Sequence, residues 1–236
     1  MQRTIRSDMD VTLMQSMGND AAIVAAAKVS TKGADSADAF DQEAGYGLIN
    51  FLMKNRHGTP FEHNAMTFLI SAPIFVFREF HRHRIGWSYN EESGRYKQLD
   101  PVFYVPGTDR NLVQVGKPGH YTFVPGTDEQ LIDQARRMVD VYHRAYDAYE
   151  EALEAGIARE VARAVLPVAT YSSMYATCNA RSLMAFLSLR TKHEESMFPS
   201  FPQREIEMVA EGMEDHFANL FPVTHGAFCA NGRVAP

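Results

Sequence analysis

Residues 64–84 read NAMTFLISAPIFVFREFHRHR, and this stretch decides the fold class. Its first part, NAMTFLIS (64–71), is a short apolar run with Thr, Phe and Ile, the pattern of a buried strand. Pro73 suits the first turn of a helix, where its fixed φ and missing N–H cost nothing. A helix is therefore expected through IFVFREFHRHR. A buried strand feeding straight into a helix that ends in histidines and arginines combines both kinds of element with a charged site.

Working outward, helices dominate. Asn19 and Asp20 can cap a helix through AAIVAAAKV. Phe40, Ala44, Leu48 and Phe51 recur at helical spacing and predict a second helix over 37–55. Gly45-Tyr46-Gly47 resembles part of a dinucleotide fingerprint, but Asn50 stands where the third glycine should be and no strand precedes it. QLDPVFYVPG reads as extended and is cut by prolines. Thr127 and Gln130 spell a capping box, followed by the stripe Leu131, Ala135, Met138, Tyr142, Ala145 and Tyr149 and an end near Gly156. REVARAVLP predicts a short helix and TYSSMYATC an extended piece. Asn179 can cap ARSLMAFLSLR, and Pro202 can open a helix burying Ile206, Val209, Met213, Phe217 and Leu220. This alternation is too irregular for a doubly wound sheet. It predicts a helix-rich α+β fold with a modest central sheet, in one domain over residues 1–236.

Composition narrows the function. The 236 residues carry a net charge of −6, which argues against bulk nucleic-acid binding. The charge is uneven: Arg78, Arg82, Arg84, Arg95 and Lys97 outnumber Glu79, Glu91 and Glu92 within 78–97. A cationic island on an acidic chain suits a small anionic ligand. No apolar run approaches the ~20 residues of a membrane span, and MQRTIRSDMDVTLMQ lacks the apolar stretch of a signal peptide, so a cytoplasmic protein is expected. The two cysteines, Cys178 and Cys229, form no CxxC pair and read as inert thiols, neither set beside a base.

RxxxRHRIGWSYNEESGRY (78–96) is the most informative segment. In a helix, Arg78 and Arg82 would share a face at i, i+4. Asn90, Glu91, Ser93 and Arg95 then place an amide, a carboxylate, a hydroxyl and a guanidinium within six residues. Arginine forks match phosphate and carboxylate bidentately, and Gly94 permits close backbone approach. A metal reading would use His57, Glu62, His63, His81 and His83. Arginines directly follow His81 and His83, and such fixed cations oppose a divalent ion, so no metal is expected.

Arg82-His83-Arg84 followed by S-x-N-E-x-S-x-R-Y resembles the signature of the flavin-dependent thymidylate synthases. The family spacing is exceeded by one residue, which falls in Ile85-Gly86-Trp87. HGTPFEH (57–63), SAPIFVFREF (71–80), ARAVLP (162–167) and NARSLMAFLSLR (179–190) resemble further family blocks in the expected order. The resemblance implies an enzyme that methylates dUMP to dTMP. FAD and NADPH would supply the hydride, and 5,10-methylenetetrahydrofolate the one-carbon unit. It implies FAD contacts from Ser30, His57, Thr59, Glu62, Arg82, His83, Arg84, Asn90, Glu91, Asn179, Arg181 and His193. It implies dUMP contacts from Arg78, Glu79, Ser93, Gly94, Arg95, Arg163 and Arg190. The chain departs from some relatives at Ala185, where they carry Asn.

The chemistry suits these residues. With no thiol set beside a base, a flavin route does not require an enzyme nucleophile, and the protein's share is positioning and electrostatics. Arg190 is the implied catalytic group, stabilising negative charge that develops on the uracil ring. Arg181 and Arg190 stand nine residues apart on one expected helix. At ~100° per residue they face opposite ways. That geometry predicts active sites shared between subunits, in line with the family's homotetramer.

Overall fold

The computed structural model describes residues 2–38, 42–117 and 120–236. The chain opens with β1 (Thr4–Arg6) and β2 (Asp10–Met17), followed by α1 (Asp20–Lys32) and α2 (Gln42–Lys54). Next come β3 (Ala65–Pro73), α3 (Ile74–Phe80), β4 (Trp87–Glu91) and β5 (Val102–Tyr104). The antiparallel pair β6 (Val113–Lys117) and β7 (His120–Val124) leads into the long α4 (Asp128–Glu154) and the short α5 (Arg159–Ala162). β8 (Tyr171–Cys178), α6 (Ala180–Arg190), α7 (Arg204–Leu220) and α8 (Pro222–Ala230) complete it. Helix and strand are mixed, as the sequence implies.

The chain divides into two compact units. The first comprises Met1–Asp8, Ser71–Arg78 and Glu91–Ser173. β1 and β5 pair in parallel here, Thr4 opposite Val102. α4 begins with both halves of the expected capping box, the Thr127 side chain accepting from Gln130 N and the Gln130 side chain from Thr127 N. Its buried stripe is Tyr142, Tyr146 and Tyr149. Tyr146, which the expected stripe omits, donates its hydroxyl to Leu99 O at 3.0 Å, and Phe103 stacks on Tyr142.

The second unit comprises Met9–Ile70, Glu79–Asn90 and Met174–Pro236. It holds most of a four-stranded sheet ordered β2-β3-β8-β4. The Asn179 side chain caps α6 by accepting from Ser182 N at 2.9 Å, and buried Asn64 accepts from Ala180 N at 2.7 Å. Two orphan N–H groups of the helix start are thus satisfied by side chains. Asn19 caps α1 as expected, accepting from Ala22 N. Asp20 does something else: its carboxylate accepts from Val223 N and Thr224 N and so caps α8, a helix the sequence reading missed.

Three expectations need correction. Phe40 and the side chain of Ala44 lie outside the described residues and Leu48 is half-buried, but Phe51 is misplaced in the expected α2 stripe. Ile49, Leu52 and Met53 are buried, while Phe51 is exposed and meets the His57 ring edge-on. The helix expected through Arg84 stops at Phe80, and Pro73 closes β3 rather than opening the helix. After Phe80 the backbone tightens into turns, with Arg82 N bonded to Glu79 O and His83 N to Phe80 O. The Tyr89 hydroxyl lies 3.1 Å from Phe80 O and 2.9 Å from His83 O, and it serves carbonyls that a continuing helix would have used.

Candidate functional site

Arg190 ends α6 in a half-buried setting. Its guanidinium pairs with the Glu79 carboxylate, and its Nε donates to His83 Nε2 at 3.0 Å. Accepting that bond requires a lone pair on Nε2, so His83 is the neutral imidazole with its proton on Nδ1. Burial, reinforced by Arg190, lowers His83 to about 4. Glu79 is raised above the ordinary carboxylate value by burial, opposed by Arg190 and abetted by Glu205. Aromatic packing holds the group in place: Phe186 stacks on Phe80 with centroids 4.8 Å apart and meets the His83 ring edge-on. A fully buried phenylalanine stabilises by roughly 1.5–3 kcal/mol, so Phe186 is a substantial anchor. The arrangement fixes the Arg190 guanidinium between the Glu79 carboxylate and an uncharged imidazole.

At the other end of α6, Arg181 pairs with Glu62 at 2.5 Å and donates Nε to Pro236 O. Its guanidinium lies over Gly58, where an added Cβ would come within 2.4 Å of Arg181 Cζ. Asn179 and Ser182 hold the segment Ile85-Gly86-Trp87 against the start of the helix, with Ser182 Oγ donating to Ile85 O at 2.8 Å. Gly86 has φ +69°, and a Cβ there would meet Ser182 Oγ at 2.1 Å. Only glycine fits both demands. The residue by which this chain exceeds the family spacing is thus taken up in a tightly seated turn.

The remaining flavin residues are less assembled. His57, Thr59, Arg82, Arg84 and Asn90 are exposed. Ser30 bonds to Ala27 O within its own helix, and His193 Nδ1 accepts from Glu195 N, so both make only local contacts among the bonds described. Glu91 falls in the first unit and the rest of its set in the second. The donor set suits a flavin dinucleotide: exposed guanidiniums at Arg82 and Arg84, and the Arg181 fork seated over buried Gly58, match phosphate.

Most of the nucleotide set lies in the first unit. Ser93, Gly94 and Arg95 form a turn after β4, with Arg95 N bonded to Ser93 Oγ. Buried Gly94 lies under Arg163, whose Cδ would stand 3.2 Å from an added Cβ. Arg95 is exposed and pairs with Glu160 at 3.0 Å, and Arg78 is exposed on α3. Glu79 and Arg190 belong to the second unit. Sequence reasoning missed Glu160, Ser182, Asn64 and Phe186. Only Asn64, a polar residue entering a buried strand, carried a local signal.

Among the described residues, the histidines weighed as metal ligands and set aside in the sequence do not gather into a group of three metal-ligating side chains; such a group forms from Glu214, His225 and Cys229. This also corrects the reading of the cysteines. Cys178 is buried, and burial pushes its thiol well above the usual range, so it is inert. Cys229 is only half-buried and stands beside His225 and Arg233.

The family described as thymidylate synthase complementing protein matches residues 12–223. A flavin-dependent thymidylate synthase of Streptomyces avermitilis is 63% identical over 99% of this chain and 96% of its own length. One from Tropheryma whipplei is 55% identical over 98% of this chain and 96% of its own. A UMP/dUMP methylase, PolB of Streptomyces cacaoi, solved with 5-Br dUMP, superposes with a TM-score of 0.94 at 53% identity, covering 99% of this chain and all of that one. No described helix is long and apolar enough to cross a membrane. With matches of this extent and identity, the chain belongs to the flavin-dependent thymidylate synthases.

Proposed function

We propose that residues 1–236 form one cytoplasmic catalytic domain of the flavin-dependent thymidylate synthase fold, which methylates dUMP at C5 in a homotetramer. FAD is the flavin, NADPH the reductant and 5,10-methylenetetrahydrofolate the one-carbon donor. The observation that carries this reading is the Arg190–Glu79–His83 group: a guanidinium with both of its neighbours fixed, in a half-buried setting where a charge acts strongly. Bound FAD supplies hydride chemistry that no side chain can supply.

The residues divide the remaining work. Ser93, Arg95, Arg163 and Arg78 hold the nucleotide phosphate through charge-assisted hydrogen bonds. Gly94 lets the backbone approach it. Arg190 faces the pyrimidine and stabilises the negative charge that appears when C5 is activated. Neutral His83 accepts from Arg190 and keeps its Nε aimed. Arg82, Arg84 and Arg181 take the dinucleotide phosphates, and Glu62 orients Arg181. His57, Thr59, Asn90, Glu91, Asn179, Ser30 and His193 complete the flavin set.

UMP is a second substrate to be considered, because PolB is a UMP/dUMP methylase at 51–53% identity. The test is direct. The purified protein is expected to be yellow, to be bleached by NADPH and to convert dUMP to dTMP with methylenetetrahydrofolate. A protein that binds no FAD on reconstitution would overturn the reading. Competition between UMP and dUMP sets the sugar preference.

A further inference from the structure

The end of the chain builds a charged cluster that the proposed reaction does not use. Arg233 follows α8 with φ +56°, the left-handed region that a non-glycine residue seldom adopts. Its side chain is buried, at 2% exposure, and its guanidinium grips both oxygens of Glu214 on α7, at 2.7 Å each. Nη1 also lies 3.5 Å from Cys229 Sγ, and Nη2 donates to Thr191 Oγ1, the residue after Arg190. Nε has no hydrogen-bond partner among the described residues. His225, four residues before Cys229 on α8, places Nε2 2.8 Å from Glu214 Oε1 and 3.7 Å from Cys229 Sγ.

We propose that Cys229 is an oxidisable thiol, activated by the cluster of His225, Glu214 and Arg233, and that hydrogen peroxide converts it to a sulfenic acid. Two cations face the sulfur, and both are themselves fixed by Glu214. An imidazolium and a guanidinium beside a thiol favour the thiolate, which is the nucleophilic form. Asp20 reaches α8 only at its opposite end, at Val223 and Thr224. A divalent metal fits this group less well, because Arg233 already occupies both oxygens of Glu214 and would stand next to the ion.

The reaction balances without any other partner. The thiolate attacks one oxygen of hydrogen peroxide, the S–O bond forms and the O–O bond breaks. Sulfur loses two electrons and peroxide gains them. The departing hydroxide takes a proton from the His225 imidazolium and leaves as water. The uncharged product attracts Arg233 less than a thiolate does, which weakens one of the contacts that hold Arg233 beside Thr191 and the end of α6.

The electrostatics point the same way. His225 is raised to about 9, first by its bond to Cys229 and then by Glu214. Cys229 is lowered, chiefly by His225 and also by Arg233, against burial and against Glu214, whose part is to hold the two cations in place.

The test uses the full-length protein with its flavin bound. Peroxide is added in the presence of dimedone, which traps sulfenic acids, and the cysteine peptides are read by mass spectrometry. Cys229 is expected to be trapped and Cys178 not. The rate of iodoacetamide labelling at Cys229, followed against pH in the wild-type protein, is expected to show a midpoint below the ~8.5 of a free cysteine. His225→Asn is expected to slow the labelling at neutral pH about tenfold or more. Absence of a dimedone adduct on Cys229, or a labelling midpoint at or above ~8.5, would overturn the proposal even if His225→Asn fails to fold.

Discussion

Arg181 and Arg190 close the two ends of one eleven-residue helix, and each is held by a different glutamate, Glu62 for Arg181 and Glu79 for Arg190. Nine residues of α-helix turn the chain by ~900°, so the side chains leave on opposite sides. A straight helix cannot bring both to one ligand pair, yet the proposed flavin and nucleotide must touch for hydride transfer. The relationship is met if each active site takes Arg181 from one subunit and Arg190 from another.

Arg181→Ala and Arg190→Ala proteins are therefore expected to be nearly inactive when alone. After mixing and subunit exchange, activity should recover, because some sites then combine two intact arginines. Native mass spectrometry checks that mixed oligomers have formed. Activity that stays at the sum of the two mutants rules out the shared site.

Arg95 should govern the nucleotide and not the flavin. Arg95→Ala removes a charged hydrogen bond worth about 1.5–3 kcal/mol, or roughly one to two decades in dUMP affinity. Glu160 holds Arg95 in the structure and competes with a phosphate for it. Glu160→Gln is thus expected to bind dUMP at least as tightly as the wild type. Calorimetry on the flavin-loaded proteins distinguishes the two directions.

Gly86→Ala tests the seating of the 85–87 turn. The substitution puts a Cβ at positive φ and into Ser182 Oγ, so a loss of about 1–3 kcal/mol in stability is expected. Ser182→Ala in the same chain removes the atom in collision and should restore part of that loss, leaving the backbone strain. Denaturant unfolding of the single and double mutants measures both terms. Equal stability of Gly86→Ala and wild type would show that the turn is loosely held.

Two histidines, displaced in opposite directions, set opposite limbs of a pH profile. His83 is depressed to about 4, so its contribution is full above the unfolded value near 6.5 and is lost as pH falls through 4. His225 is raised to about 9, so its contribution is full below about 6.5 and is lost as pH rises through 9, with Cys229, lowered by the same contact, offsetting part of that loss. The melting temperature is expected to peak near pH 6–7. His83→Gln should flatten the acid limb and His225→Asn the alkaline limb. Thermal melts across pH 4–9 read each limb separately.

The sequence by itself determined what depends on neighbours three or four residues apart. The capping box at Thr127 and the caps at Asn19 and Asn179 were legible for that reason, while a short apolar run marked the strand read at 64–71 and TYSSMYATC the extended piece that became 171–178. The order of the motif blocks also carried the family. Tertiary structure alone decided where α3 stops, because the Tyr89 hydroxyl that meets its last carbonyl arrives from the next strand. It decided which face of α2 is buried, and that Asp20 caps a helix some two hundred residues onward. It also decided that Cys229 is not an inert thiol, since Glu214, His225 and Arg233 converge on it from two helices and a turn. Local hydrogen bonds are fixed by spacing along the chain, whereas the partner of a buried charge is fixed by which segments the packed core brings within reach.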